Sequence, residues 1–542
     1  MSLLPFLLVT GAGATAAVFL RSSPRLATAS GLVALVAACL AAVAIRPGDS
    51  LLLGGGVLAT TEYLRLFLVL GSVVGLLLAV VGQATATQRD VPAMTLGILA
   101  TSALALSIPD ARAAMLAATA GGAFGAVLAI APGGGRLASS AGTRALRATA
   151  VAGTMAVAAT AWIGRDLSEL AAQPVVFGLA YLAVALAVAL RFGAIPVHTW
   201  AARMTDAVPE TSLPLVTALA PAALAIVALA WADASIAPLL VDLDQVRAVV
   251  LFVAIASVLF ASIAAWIQDD IEHIVGYAIV GDSGIVMLAV AALDPDAWAP
   301  ARTWIVAFVV TRSAFAAWAA VMRATFGTGR VADLRGWVFR APILAVVLGA
   351  IVVASIGLPG LAAAEARGAL VDLVLDGPLA VLVLLGTLGP LLYYGRIVAV
   401  GIERPTTAVE RVAWRPVVGR LDVTDLRGWI VRTWRENRLP GATGAALVLA
   451  GLALAVSAGA FGTERAAAGL PPAAGGAVES FAPGEPGPED SGPPEQPAAS
   501  DEVAAPSDEV VAPSEAVPPS APSVPATPSG SAGASFQPVA TP

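Results

Sequence analysis

The chain has 542 residues, 58% of them apolar and 12% charged, with a mean hydropathy of +0.86 and a formal net charge of −7. Soluble domains carry about 25% charged residues, so the composition excludes a soluble enzyme and indicates a polytopic membrane protein. The single cysteine, Cys39, excludes an intrachain disulfide and any cysteine-built metal or iron–sulfur centre.

Apolar runs of spanning length recur about fourteen times, at 2–20, 27–45, 62–82, 92–108, 111–131, 146–163, 174–195, 212–231, 247–267, 271–293, 301–322, 341–374, 378–400 and 441–461. The first lacks a charged leading segment and a distinct small-residue cleavage site, so it reads as a retained helix. The expectation is an all-α protein of about 14 transmembrane helices. Residues 1–60 hold the N-terminal helices, 61–400 a transmembrane core, 401–440 a basic connector, 441–461 the last helix and 462–542 a Pro/Ala/acidic tail. No phosphate loop, dinucleotide fingerprint, haem attachment or metal-ligand spacing occurs, so no cofactor, metal or nucleic acid is expected.

Loop charges alternate along the chain. Arg21 and Arg25, then Arg136, Arg144 and Arg147, then Arg323, Arg330, Arg335 and Arg340, and finally the connector all fall on one side. Positive loops stay cytoplasmic, which places both termini outside and the protein in the cytoplasmic membrane. The connector stretch DLRGWIVRTWRENR reads as an interfacial helix with Trp429 and Trp434 at headgroup level. The tail repeats SDEVAAP and SDEVVAP and cannot bury enough surface to offset its ordering entropy, so it is expected to be disordered.

All 30 basic residues are arginine. Arginine stays protonated in proteins, whereas a buried lysine can be tuned to release its proton. The stretch RFGAIPVHTWAARMTDAVPETSLP, residues 191–214, sets Arg191 beside the helix-interrupting Pro196 at the end of an apolar run, followed by His198, Trp200, Asp206 and Glu210. Charge beside a broken helix within a hydrophobic span marks a functional site.

Four stretches together resemble the antiporter-like membrane subunits of respiratory complex I, and subunit N most of all. R-F-G-A-I-P-V-H-T-W at 191–200 is similar to the family's lysine, proline, histidine and tryptophan pattern. D-I-E-H-I-V-G-Y-A-I-V-G-D-S-G-I at 270–285 resembles a helix start that in the family follows Lys-Arg. L-R-G-W-V-F-R-A-P at 334–342 leads to S-I-G-L-P-G at 355–360, and eight residues after Pro359 stands Arg367, where the family has a lysine. L-L-Y-Y-G-R-I at 391–397 is similar to the family's Tyr-Tyr-x-Arg-Val.

The resemblance covers roughly residues 60–400. It implies two inverted five-helix repeats with interrupted helices 7 and 12, and other membrane subunits of a complex I-like assembly as partners in the bilayer. It also implies proton transfer along buried charges, with quinone chemistry elsewhere, so quinone binding by this chain is not expected. The family's path uses a glutamate on helix 5, lysines on helices 7 and 8, and a lysine or glutamate on helix 12. Here the fifth run offers Thr119, the seventh Arg191, the eighth Leu224 and the twelfth Arg367.

A relay needs groups that gain and lose protons, and arginine does not. The titratable candidates are His198, Glu272, His273, Asp282, Glu365, Asp372 and Asp376, with Arg312 as the expected partner of Asp282. Residual conduction is expected to use Glu272, His273 and Asp282, or Glu365 beside Arg367. Three readings follow: a subunit N-like member of a complex I-type assembly with a degraded or rerouted path, a non-conducting scaffold of the same fold, or a subunit of a multisubunit cation/proton antiporter.

Overall fold

A computed structural model describes residues 2–53, 56–85, 90–130, 136–163, 174–235, 243–403 and 438–469. The expected interfacial helix in the connector, and all of the tail beyond Gly469, lie outside the described residues. Helices α1 (Leu4–Phe19) and α2 (Pro24–Val43) form an antiparallel pair. A short antiparallel hairpin follows, β1 (Ser50–Leu53) and β2 (Gly56–Ala59), paired from Ser50↔Ala59 to Leu53↔Gly56. Apolar periodicity gave no sign of this hairpin, because each strand has only four residues.

Next come α3 (Glu62–Ala84), α4 (Val91–Ser107), α5 (Ala111–Ile130) and α6 (Arg136–Trp162). Thr61 caps α3 by accepting a hydrogen bond from the Leu64 amide at 3.1 Å. The seventh run is α7 (Pro174–Phe192) followed by the one-and-a-half-turn α8 (Thr199–Met204). The eighth opens on a π-helical turn, Leu215–Leu219, that runs into α9 (Ala220–Ser235). Then follow α10 (Asp244–Trp266), α11 (Ile271–Ala292), α12 (Trp298–Phe326), α13 (Trp337–Arg340), α14 (Pro342–Ile356), α15 (Ala362–Val374), α16 (Gly377–Gly386), α17 (Pro390–Ile402), α18 (Arg438–Ser457) and α19 (Thr463–Ala468).

Among the described residues eleven helical stretches are long and apolar enough to cross a membrane, and Val91–Ser107 and Pro342–Ile356 are shorter apolar helices. Three expected spans are not among the eleven: Val91–Ser107 is slightly short, α6 is not apolar enough over a spanning length, and the run at 341–374 is two helices, each too short alone. Both expected breaks occur, but each begins ahead of its proline. α7 stops at Gly193 (φ +66°) and α14 at Gly357 (φ +63°). A left-handed residue after the last helical position costs least as glycine, and proline then prevents the helix from resuming.

The apolar centres of Leu215–Asp233 and Pro295–Phe326 are wholly buried, whereas most of α1 and α2 is not. α9 and α12 therefore form the centre and α1–α2 the rim, where Phe19, Val33 and Leu40 face outward. Helix α18 packs on α3, α12 and α14, so the last helix belongs to the body of the bundle. The chain does not enter the tail at 462. Helix α19 continues to Ala468 and buries Thr463, Ala466 and Ala467 against α3 and α12.

Candidate functional site

The break after α7 holds Arg191 inside the bundle, 1% exposed. The indole of Trp200, at the start of α8, donates to the Leu190 carbonyl at 2.7 Å and clasps the broken segment onto its own helix. Its ring lies 6.0 Å from the Arg191 guanidinium. Neither Nη1 nor Nη2 of Arg191 has a hydrogen-bond partner among the described residues. The guanidinium presses on α5 at Gly122, where an added Cβ would collide with Nη2. Thr119, one turn earlier on α5, packs on Gly153 of α6 and donates its hydroxyl proton to Met115 O at 2.8 Å. Leu224 of α9 is buried among apolar side chains.

The second constellation is built on α11 and α12. Asp282 and Arg312 form a bidentate pair, with Nε–Oδ2 at 2.5 Å and Nη2–Oδ1 at 2.9 Å. Nη1 of Arg312 donates to both Tyr393 (3.2 Å) and Tyr394 (3.0 Å) on α17. The Tyr394 hydroxyl in turn lies 3.1 Å from Ser355 Oγ, one residue before the end of α14. Trp304 donates its indole N–H to the Asp282 carbonyl at 3.2 Å. Each guanidinium nitrogen of the buried arginine has an acceptor, which is what a charge pair needs inside a low-dielectric bundle.

Arg367 joins this constellation from α15. Its Nη2 donates to Ile356 O, the carbonyl left open where α14 breaks, at 2.6 Å. Its guanidinium lies 5.8 Å from the Trp304 ring. A cavity of about 20 Å³ separates it from the ion pair, lined by Ser262, Asp282, Trp304, Arg367, Thr387 and Tyr393 among others. Glu365 is exposed and does not stand beside Arg367 in space. Two residues along a helix turn the side chain about 200° away. Asp372 and Asp376 are exposed as well.

A third group gathers where α11 begins. Arg323, near the end of α12, bridges Glu272 and the buried Glu210, with Nε 3.0 Å from Glu210 Oε1. His273 Nε2 lies 2.8 Å from Asp206 Oδ1. The His198 ring is 6.1 Å from that of Tyr277, and its Nδ1 has no partner among the described residues. Two of the four sequence stretches thus meet in one place. Glu272 and Asp282 share α11 but stand ten residues apart, about 15 Å along the axis. Among the described residues no three His, Cys, Asp or Glu side chains are arranged to hold a metal ion.

Residues 137–392 match the family model described as NADH:quinone oxidoreductase/Mrp antiporter, TM. Subunit N of the NADH-quinone oxidoreductase of Halorhodospira halophila is 26% identical over 244 residues, 43% of this chain and 48% of that protein. Its counterpart from Cereibacter sphaeroides is 30% identical over 270 residues, 48% of this chain and 56% of that protein. Over this stretch, somewhat under half of its length, the chain is similar to antiporter-family membrane subunits, subunit N among them. It spans about half the length of the curated relatives it matches. The fold is shared with a chain of the Mrp complex from Dietzia sp. DQ12-45-1b (TM-score 0.67, 18% identity, 88% of this chain and 97% of that one). It is shared equally with a chain of respiratory complex I from Thermus thermophilus with bound NADH (TM-score 0.66, 18% identity, 88% and 99%).

In this antiporter-like subunit the two arginines at helix breaks differ in their company. Arg367 lies across one small cavity from a carboxylate, while Arg191 faces bare backbone. Sequence reasoning missed the tyrosine pair. Its signal was present: two adjacent hydroxyls on a largely apolar helix must find partners. It also missed Glu210 as the buried partner of Arg323, since 113 positions separate them and no local pattern links them.

Proposed function

We propose that this subunit works within a complex I-type NADH-quinone oxidoreductase in the cytoplasmic membrane, and that proton transfer through it is rerouted into its C-terminal half. The reading places both termini outside and the helices in two inverted five-helix repeats. The observation that carries it is the contrast between Arg191 and Asp282. Arg191 is a fixed cation with no carboxylate on α5 to balance it. At 4 Å and an effective dielectric of about 20, such a charge repels a passing proton by about 4 kcal/mol. Asp282 is a carboxylate inside the bundle, one wall of a cavity large enough for a water.

Glu210, Glu272 and His273 at the start of α11 supply groups that exchange protons with the basic-loop side. In the cavity, Asp282 accepts the proton, and protonation releases Arg312 to its two tyrosine hydroxyls. Breaking a buried pair costs about 3–5 kcal/mol, so the step needs drive from neighbouring subunits.

The test is proton uptake by proteoliposomes holding the intact complex. Asp282→Asn is expected to abolish the share of transfer carried by this subunit, and Arg191→Ala to leave it in place. Loss of transfer in Arg191→Ala with assembly intact overturns the rerouting. Unchanged pumping in Asp282→Asn, with assembly impaired, identifies a non-conducting scaffold.

A further inference from the structure

The cavity beside Arg367 is rich in donors. Arg367 is more than nine-tenths buried, and its Nε–H has no partner among the described residues. The Ser262 hydroxyl, reaching the same space from α10, makes no hydrogen bond to the described residues. Three charged groups face this region: Asp282, Arg312 and Arg367. Arg312 holds both oxygens of Asp282, so those two charges cancel and the charge of Arg367 remains. Glu365, the nearest acid in sequence, points out of the bundle.

An unpaired buried N–H seeks an acceptor, and an unbalanced buried cation seeks a negative one. The space fixes the size of that acceptor. At about 20 Å³ it has room for one particle close to water in size. We propose that this cavity binds a single halide ion, chloride under physiological conditions, held by Arg367 Nε–H and the Ser262 hydroxyl. The ion supplies the counter-charge that the chain itself lacks at this point. The ion shares its cavity with Asp282 of the proposed proton route, but its binding does not rest on that route, because a chain that conducts no protons has the same buried arginine.

Full-length protein in lipid nanodiscs is equilibrated with radiolabelled chloride at constant ionic strength, with gluconate as the balancing anion. Saturable binding of one chloride per chain is expected. Arg367→Gln abolishes it, and Ser262→Ala weakens it several-fold. Absence of saturable binding in the wild type, meaning that water alone fills the cavity, overturns the proposal. So does binding that persists unchanged in Arg367→Gln. Where Arg367→Gln fails to fold, Ser262→Ala decides: unchanged affinity there overturns the site. Binding is read without any proton measurement, so its failure is distinct from failure of the rerouted path.

Discussion

The guanidinium of Arg191 rests on the backbone of α5 at Gly122, in the volume that any side chain at that position would occupy. Arginine on one helix and glycine on the other are therefore a matched pair in shape, and neither can change alone without cost. Gly122→Ala is expected to destabilise the protein by about 1–3 kcal/mol, the usual cost of forcing extra volume into a packed interior. Shortening Arg191 to alanine in the same chain should recover part of that loss. A double-mutant cycle followed by thermal unfolding in detergent measures the coupling, and additive effects would show that the two do not touch.

Asp282 and Arg312 should show the asymmetry of a buried ion pair. Arg312→Leu leaves a carboxylate without its partner and is expected to cost about 3–5 kcal/mol. Replacing both residues with leucine should cost clearly less than Arg312→Leu alone. Equal losses in the single and double variants would mean that the tyrosine contacts of Arg312, rather than its charge pairing, hold this part of the bundle.

Arg302 is buried, stacked 3.9 Å from the Tyr63 ring, and donates through Nη1 to the carbonyls of Ala467 (2.8 Å) and Gly469. A chain ending at Ser457 loses both acceptors and strands a buried cation, with an expected loss of about 1.5–3 kcal/mol per charge-assisted hydrogen bond. A chain ending after Gly469 should retain wild-type stability. Thermal unfolding of the two truncations separates these outcomes, and identical midpoints would remove any structural role for α19.

Protease added to right-side-out vesicles should trim the chain beyond about residue 469 and leave the membrane domain intact, as the distribution of basic loops requires. Protection of this segment until the vesicles are lysed would reverse the orientation.

Much of this protein is determined along the chain itself. Bilayer spans are local: an apolar run of sufficient length has to cross, and glycine with proline has to interrupt it, so the membrane class and both broken helices are legible by eye. The pairing of Asp282 with Arg312 is nearly as legible, because opposite charges within two consecutive apolar helices have few other partners.

Helix rotation and long-range neighbours are a different matter. Thr119 and Gly122 differ by less than one turn, yet only packing against α6 and α7 decides that one meets Gly153 and the other Arg191. Glu365 and Arg367 are near in sequence and point apart, while Glu210 and Arg323 are far apart in sequence and bonded. The last helix reads as an appendage beyond the core, but it fills the groove between α3, α12 and α14. Hydrophobicity acts on each segment separately and needs no fold to be read. A hydrogen bond between buried side chains exists only after rotation, tilt and register of several helices are set together, and that setting belongs to the tertiary structure.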